Sequence, residues 1–145
     1  MKPVISNEMK RYNYLLGEIE AEYHNMSLKL GLSDSAMKIL YTICDNGESC
    51  PLLEICRRNG LSKQTVNSAI RKLESENVVY LEPAGTKNKT VLLTEKGKLL
   101  AQKTAMRILE SENDILASWP DKDVKKYLTL TEKFLLALKE KTDSL

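Results

Sequence analysis

Apolar residues recur at helical spacing along most of this chain, and the rhythm changes to that of short strands only between residues 78 and 93. From Asn7 to about Leu30, the residues Met9, Tyr12, Leu15, Leu16, Ile19, Tyr23 and Met26 predict one long amphipathic helix. Ser33 is placed to cap a second helix, in which Met37, Leu40, Tyr41 and Cys44 share a face. Pro51 opens a short helix that ends near Gly60. Ser62 then caps another, where Val66, Ala69, Ile70 and Leu73 recur at i, i+3, i+4 and i+7. Val78 to Leu81 reads as a strand closed by Glu82 and Pro83, Ala84 to Lys89 as a polar loop, and Thr90 to Leu93 as the returning strand. Beyond it, Glu95 to Ala117 reads as one long helix with Leu99, Leu100, Met106, Ile108, Leu109, Ile115 and Leu116 as its apolar content. Pro120 stands where a first helical residue is favoured, and Val124, Tyr127, Leu128, Thr131, Phe134, Leu135 and Leu138 continue a stripe toward the C-terminus.

Two short helices joined at Gly60 and followed by a hairpin are the order of a winged helix-turn-helix, whose second helix enters the DNA major groove. That helix has two chemically different faces. Its apolar stripe turns inward, so at 100° per residue Gln64, Asn67, Ser68 and Arg71 turn outward, flanked by Lys63, Thr65 and Lys72. Gln and Asn can pair with adenine, Arg with guanine and Ser with several base edges, while Lys63, Thr65 and Lys72 suit phosphate oxygens; Ser62 lies at the same helix start. No acidic residue falls between Ile55 and Leu73, whereas Arg57, Arg58, Lys63, Arg71 and Lys72 are basic, an arrangement that favours a polyanion. The hairpin loop adds Thr86, Lys87 and Lys89 as candidate contacts to phosphate or minor groove. An amphipathic helix with a merely solvated polar face would look similar in isolation; the turn, strands and polar hairpin around it favour DNA.

At Leu61, Ser62, Thr65, Val66 and Leu73, and again at Leu93-Thr94-Glu95-Lys96-Gly97, the chain resembles the MarR family of winged-helix transcriptional regulators. The resemblance covers nearly the whole chain and implies a mainly α fold with a small β-hairpin wing. It further implies one domain over 1–145, with a winged helix-turn-helix DNA-binding lobe at 33–93 and dimerisation helices at 1–30 and 95–145. The expected function is that of a sequence-specific DNA-binding repressor, a homodimer on a pseudo-palindromic operator in double-stranded DNA, relieved by a small apolar or phenolic effector. A pocket between the dimerisation helices and the reading lobe is also implied, with Tyr12, Leu16, Met37, Tyr41 and Met106 as its lining, joined by Tyr14 and Trp119. The same residues at helical spacing would serve equally as plain core. One departure stands out: family wings commonly carry an Asp and an Arg two positions apart, and here those positions hold Gly85 and Lys87. Lysine lacks the planar fork of arginine, so the wing is expected to read DNA less specifically.

The two end helices carry more apolar surface than the reading lobe can cover, which independently points to a twofold partner. Symmetric dimers match operators whose half-sites lie about 34 Å apart. Composition agrees without deciding. A chain of 145 residues with 42% hydrophobic residues can build a core, and Lys+Arg 22 against Asp+Glu 20 leaves only +2, so the basic character is local. No apolar run of membrane length and no secretory leader are present, and the expectation is a cytoplasmic protein without membrane association.

Cys44, Cys50 and Cys56 are odd in number and lack C-x-x-C spacing; with His24 the only histidine, neither a disulfide framework nor a metal site is expected. Cys56 reads as a small packed residue, and Cys50, just before Pro51 at a helix start, as the one thiol whose pKa helix dipoles would lower. Glu18, Glu20 and Glu22 beside His24 read as a solvated face. No Gly-rich phosphate loop, paired carboxylates or nucleophile elbow suggests catalysis, so no enzyme and no cofactor are expected. The second reading belongs to another class: a winged-helix protein-interaction module without DNA binding. An acidic or apolar outward face would favour it, and here that face is polar and basic.

Overall fold

The computed structural model describes residues 6–145, so the first five residues of the expected segments 1–30 and 1–145 lie outside the described residues. Along the chain run α1 (Asn7–Leu30), α2 (Asp34–Asp45), β1 (Ser49–Pro51), α3 (Leu52–Asn59), α4 (Lys63–Ser75), β2 (Val79–Ala84), β3 (Asn88–Leu93), α5 (Glu95–Lys103), α6 (Ala105–Ala117) and α7 (Asp121–Asp143). This is the mainly α winged helix-turn-helix that the pattern predicts. Two compact units make up the chain, one ending at Leu109 and the other spanning Glu110–Leu145.

In the first unit α1, α2, α4 and α5 start at hydroxyl caps. Ser6, Ser33, Ser62 and Thr94 accept from the backbone N–H three residues on, at Met9, Ala36, Thr65 and Gly97 respectively. Helix α2 is the hub: it contacts α1, α3, α4, α5, β1 and β3. Ile39, Leu40 and Ile43 are completely buried on it, and Met37 nearly so. Its buried Thr42 hydroxyl is satisfied twice, donating to the Lys38 carbonyl at 2.8 Å and accepting from Asn59 Nδ2 at 2.9 Å. From α4, Val66, Ile70 and Leu73 enter the same core, as the spacing requires, with Ala69 packed at its margin. The core does not stop at residue 93, because Ala101, Ala105 and Ile108 belong to it.

Four local expectations are corrected. First, the sheet has three antiparallel strands in the order β1-β3-β2, with Cys50 opposite Val91 and Val79 opposite Leu93. Strand β1 is too short to show a period of its own. Second, the hairpin strands reach further than expected, through Glu82, Pro83 and Ala84 on one side and from Asn88 on the other; only Gly85, Thr86 and Lys87 remain as the turn. Gly85 takes φ +80, a backbone conformation that L side chains rarely adopt, and this turn is what the glycine serves. Third, the helix from Glu95 to Ala117 is broken at Thr104, with φ −130 and ψ −92. The buried Thr104 hydroxyl donates to the Leu100 carbonyl at 2.8 Å, while its N–H turns to Ala101 instead. Fourth, Pro120 is the N-cap of α7 rather than its first residue.

Within the second unit, Trp119 and Tyr127 meet with ring centroids 5.5 Å apart and planes tilted by 45°. No residue of α7 is buried. Tyr127, Leu128, Phe134, Leu135 and Leu138 all lie 42–57% exposed. Helix α1 is likewise exposed at Met9, Leu15, Leu16, Ile19 and Tyr23. Each helix, taken alone, leaves its apolar stripe in solvent.

Candidate nucleic-acid interface

Helix α4, the second helix of the helix-turn-helix, presents its polar face as its spacing dictates. Lys63, Gln64, Thr65, Ser68, Arg71 and Lys72 are exposed, and Asn67 is half-buried. Ser62 is exposed too, but its hydroxyl holds the helix start, accepting from the Thr65 N–H at 3.1 Å and lying 2.8 Å from the Thr65 hydroxyl. At the tip of the wing, Thr86, Lys87 and Lys89 are exposed. Among the described residues, Lys63, Arg71, Lys72, Lys87 and Lys89 make no ion pair. The face is therefore predominantly cationic, and none of these cations is tied up in a salt bridge.

Arg57 and Arg58 are different. Arg57 faces Glu54 at 3.7 Å one turn away, and Arg58 bonds Asp45 of α2, which with the surrounding acids raises the guanidinium pKa above its ordinary value. Arg58 is thus a clamp between α2 and α3. Asn59 reinforces it, donating to the Ile55 carbonyl at 2.8 Å as well as to Thr42. Together these contacts hold the helix preceding α4 against the hub helix.

A groove of about 300 Å³ separates α4 from the wing. It gathers Lys63, Asn67 and Arg71 from α4 and Lys87 and Lys89 from the hairpin, which sequence had placed in two separate segments. Its floor is apolar, from Leu52, Leu53, Ile70 and Leu81, and Asn88 and Glu74 complete the wall. Leu52, Leu53 and Glu74 were not anticipated. Leu52 and Leu53 are adjacent on a short helix and cannot both face inward, which is the signal that one of them lines a surface.

The expected effector residues are not gathered at this groove. Met37 is buried in the hydrophobic core and Tyr41 packs against it; Tyr12 and Met106 are half-buried, and Leu16 is exposed. The cysteines also differ from expectation at one point. Cys50 lies inside β1, fully buried, and burial, followed by Glu54, pushes its thiol pKa up, the opposite of the lowering expected. Cys44 is raised as well, by burial and then Glu48. Cys56 packs half-buried against the core. Among the described residues, no group of three or more His, Cys, Asp or Glu side chains could hold a metal ion, and no helix is long and apolar enough to cross a membrane.

Residues 30–87, from the end of α1 to the wing turn, match the family model described as the MarR family. Over that segment the chain is similar to the MarR family, and the segment is its winged helix. Among solved structures, NMB1585, a MarR family regulator from Neisseria meningitidis, is 22% identical and superposes with a TM-score of 0.79, covering 96% of this chain and 98% of that one. The S. aureus MepR-DNA complex is 15% identical, with a TM-score of 0.68 over 93% of this chain and 99% of that chain. NadR in complex with 4-hydroxyphenylacetate is 11% identical, with a TM-score of 0.68 over 95% and 96%. At these identities the likeness is one of fold, and it extends beyond the matched winged helix to nearly the full chain. A comparison with curated proteins found no match.

Proposed function

We propose that this chain is a sequence-specific DNA-binding transcriptional repressor. The observation that carries the reading is the unpaired cationic and amide face of α4 beside the cationic wing. Gln64, Asn67, Ser68 and Arg71 read base edges in the major groove. Lys63, Thr65, Lys72, Thr86, Lys87 and Lys89 hold phosphate or minor groove, and Ser62 fixes the helix start that presents them. That MepR, a protein of the same fold, was solved on DNA supports this assignment.

The working unit is a homodimer in the cytoplasm, built by the terminal helices α1 and α7 around two reading lobes. Apolar stripes as exposed as those on α7 need a partner surface, and a twofold pair places two recognition helices on a pseudo-palindromic operator. Relief of repression by a small apolar or phenolic effector completes the proposal, with Tyr12, Leu16, Met37, Tyr41 and Met106 as its lining; the 4-hydroxyphenylacetate bound by NadR is of that class. A ligand there acts by favouring a dimer whose recognition helices no longer match the half-site spacing. The reading contains no enzymatic step.

The test is equilibrium titration of labelled duplex DNA at increasing salt. Each neutralised phosphate contributes a slope of about −0.9 in log K against log salt, so Lys63, Lys72, Lys87 and Lys89 of each protomer put the dimer's slope between about −4 and −7. A flat salt dependence, or no binding at low salt, refutes the reading and favours the protein-interaction alternative.

A further inference from the structure

The recognition helix ends in an unusual way. After Ser75, Glu76 caps α4, Asn77 takes φ +60, and the chain folds back: Asn77 N–H donates to the Glu74 carbonyl and Val78 N–H to the Leu73 carbonyl, both at 2.9 Å. This is a left-handed C-cap with asparagine in the place glycine usually takes. It leaves the carbonyls of Glu76, Asn77 and Val78 outside the helix, and all three are taken by the Thr94-Glu95-Lys96-Gly97 run. Lys96 Nζ donates to the Glu76 carbonyl at 2.7 Å. The Thr94 hydroxyl donates to the Asn77 carbonyl at 2.6 Å and lies 3.1 Å from that of Val78, which also accepts the Thr94 N–H at 3.1 Å. The same hydroxyl accepts from Gly97 N–H at 2.9 Å and so caps α5. Gly97 lets the two elements come this close, since a Cβ there would stand 1.9 Å from the Val78 carbonyl oxygen.

We propose that Thr94, Lys96 and Gly97 are positioning residues for DNA readout, pinning the C-terminal end of α4 to the first turn of α5 and thereby fixing how α4 is set in the major groove. The inference rests on the DNA-binding reading above. Its physical basis is the difference between the two kinds of contact that hold α4. The apolar stripe of Val66, Ile70 and Leu73 is held by burial, which is non-directional and tolerates a small slide. Hydrogen bonds do not: a contact that lengthens to about 3.6 Å is lost. Base-edge pairing by Asn67 and Arg71 depends on that precision, whereas long lysines follow a displaced phosphate. Lys96 also sets its positive charge at the negative end of the α4 dipole, next to the carbonyl it bonds.

Loss of the pin therefore lowers specific affinity and leaves unspecific affinity alone. The experiment compares full-length wild type, Lys96→Met, Thr94→Val and Lys96→Arg by fluorescence anisotropy. One probe is a duplex recovered from a random-sequence library by the wild-type protein, and the other is a scrambled duplex of equal composition. Lys96→Met and Thr94→Val are expected to lose about three- to tenfold on the selected duplex, the scale of one hydrogen bond, with binding to the scrambled duplex and the salt slope unchanged. Lys96→Arg restores most of the loss. Equal losses on both duplexes with a shallower salt slope overturn the proposal, because Lys96 then touches phosphate directly. A full preference retained in both Lys96→Met and Thr94→Val overturns it too, leaving the motif a role in the fold alone. Should Thr94→Val fail to fold, Lys96→Met changes only an exposed side chain and decides the matter. Wild type without preference for any selected duplex sinks the DNA reading and this proposal with it, whereas failure confined to the variants leaves the DNA reading standing.

Discussion

Removing the Arg71 side chain separates base reading from general charge attraction. Arg71 is exposed, lines the groove facing Lys87 and Lys89, and makes no ion pair among the described residues; the buried stripe of α4 lies on the opposite side. Arg71→Ala is therefore expected to change folding stability by no more than about 0.5 kcal/mol. On DNA the effect is larger. A bidentate arginine–guanine pair contributes about 1–3 kcal/mol of discrimination, and a symmetric dimer loses it at both half-sites, giving about 2–6 kcal/mol. At about 1.4 kcal/mol per decade this is roughly a thirtyfold to twenty-thousandfold weakening on the cognate duplex. Single-base substitution at the contacted position should then cost the variant almost nothing. Lys72→Ala supplies the contrast: it weakens every duplex alike and makes the salt slope shallower by about 0.9 per phosphate released. Anisotropy titrations of both variants against cognate and base-substituted duplexes measure the difference. If Arg71→Ala keeps wild-type affinity and wild-type base preference, Arg71 does not read bases and the assignment of the outward face is wrong.

The other predictions address assembly, wing and thiols. Because no residue of α7 is buried, the double variant Leu128→Glu with Leu135→Glu should leave the fold intact and sediment as a monomer with collapsed DNA affinity; an unchanged dimer contradicts the interface. Lys87→Ala should lower affinity less than about tenfold at low salt and leave operator preference unaltered, and a large loss of flank discrimination would show that the lysine already reads groove shape. Gly85→Asp with Lys87→Arg should sharpen preference for A·T-rich flanks, but the φ of +80 at Gly85 makes the aspartate costly by about 1 kcal/mol, visible as a lower denaturation midpoint. Burial raises the Cys44 and Cys50 thiols in the folded state, so stability is full below the unfolded thiol pKa of about 8.5 and declines as pH rises through the folded values. Rapid labelling of Cys50 by a thiol reagent in the folded protein would contradict that burial.

Sequence periodicity carried the helices well because their apolar stripes are long and their starts are marked by Ser33, Ser62 and Thr94. It carried the outward face of α4 for the same reason, since Val66, Ile70 and Leu73 leave Gln64, Ser68 and Arg71 no other direction. The misses share a physical origin in tertiary context. Strand β1 exists only because β3 pairs with it, and Cys50 is buried by that pairing rather than presented at a helix start. The break at Thr104 depends on a hydroxyl reaching back to Leu100, a choice open to any threonine in a helix and therefore silent in a hydrophobic pattern. Arg58 counted as a basic residue for DNA until Asp45, thirteen positions earlier, was found beside it. The groove between α4 and wing joins segments whose approach no local signal encodes.

Selection of bound fragments from genomic DNA by the intact protein tests the central claim most directly. The account predicts enriched fragments that share a pseudo-palindrome, with half-site centres about 10 base pairs or one helical turn apart, and Arg71→Ala should lose the symmetric guanine-containing positions while Lys72→Ala keeps them. Recovery of fragments with no common symmetric sequence, at a yield indifferent to salt, would contradict a dimeric reader of DNA sequence.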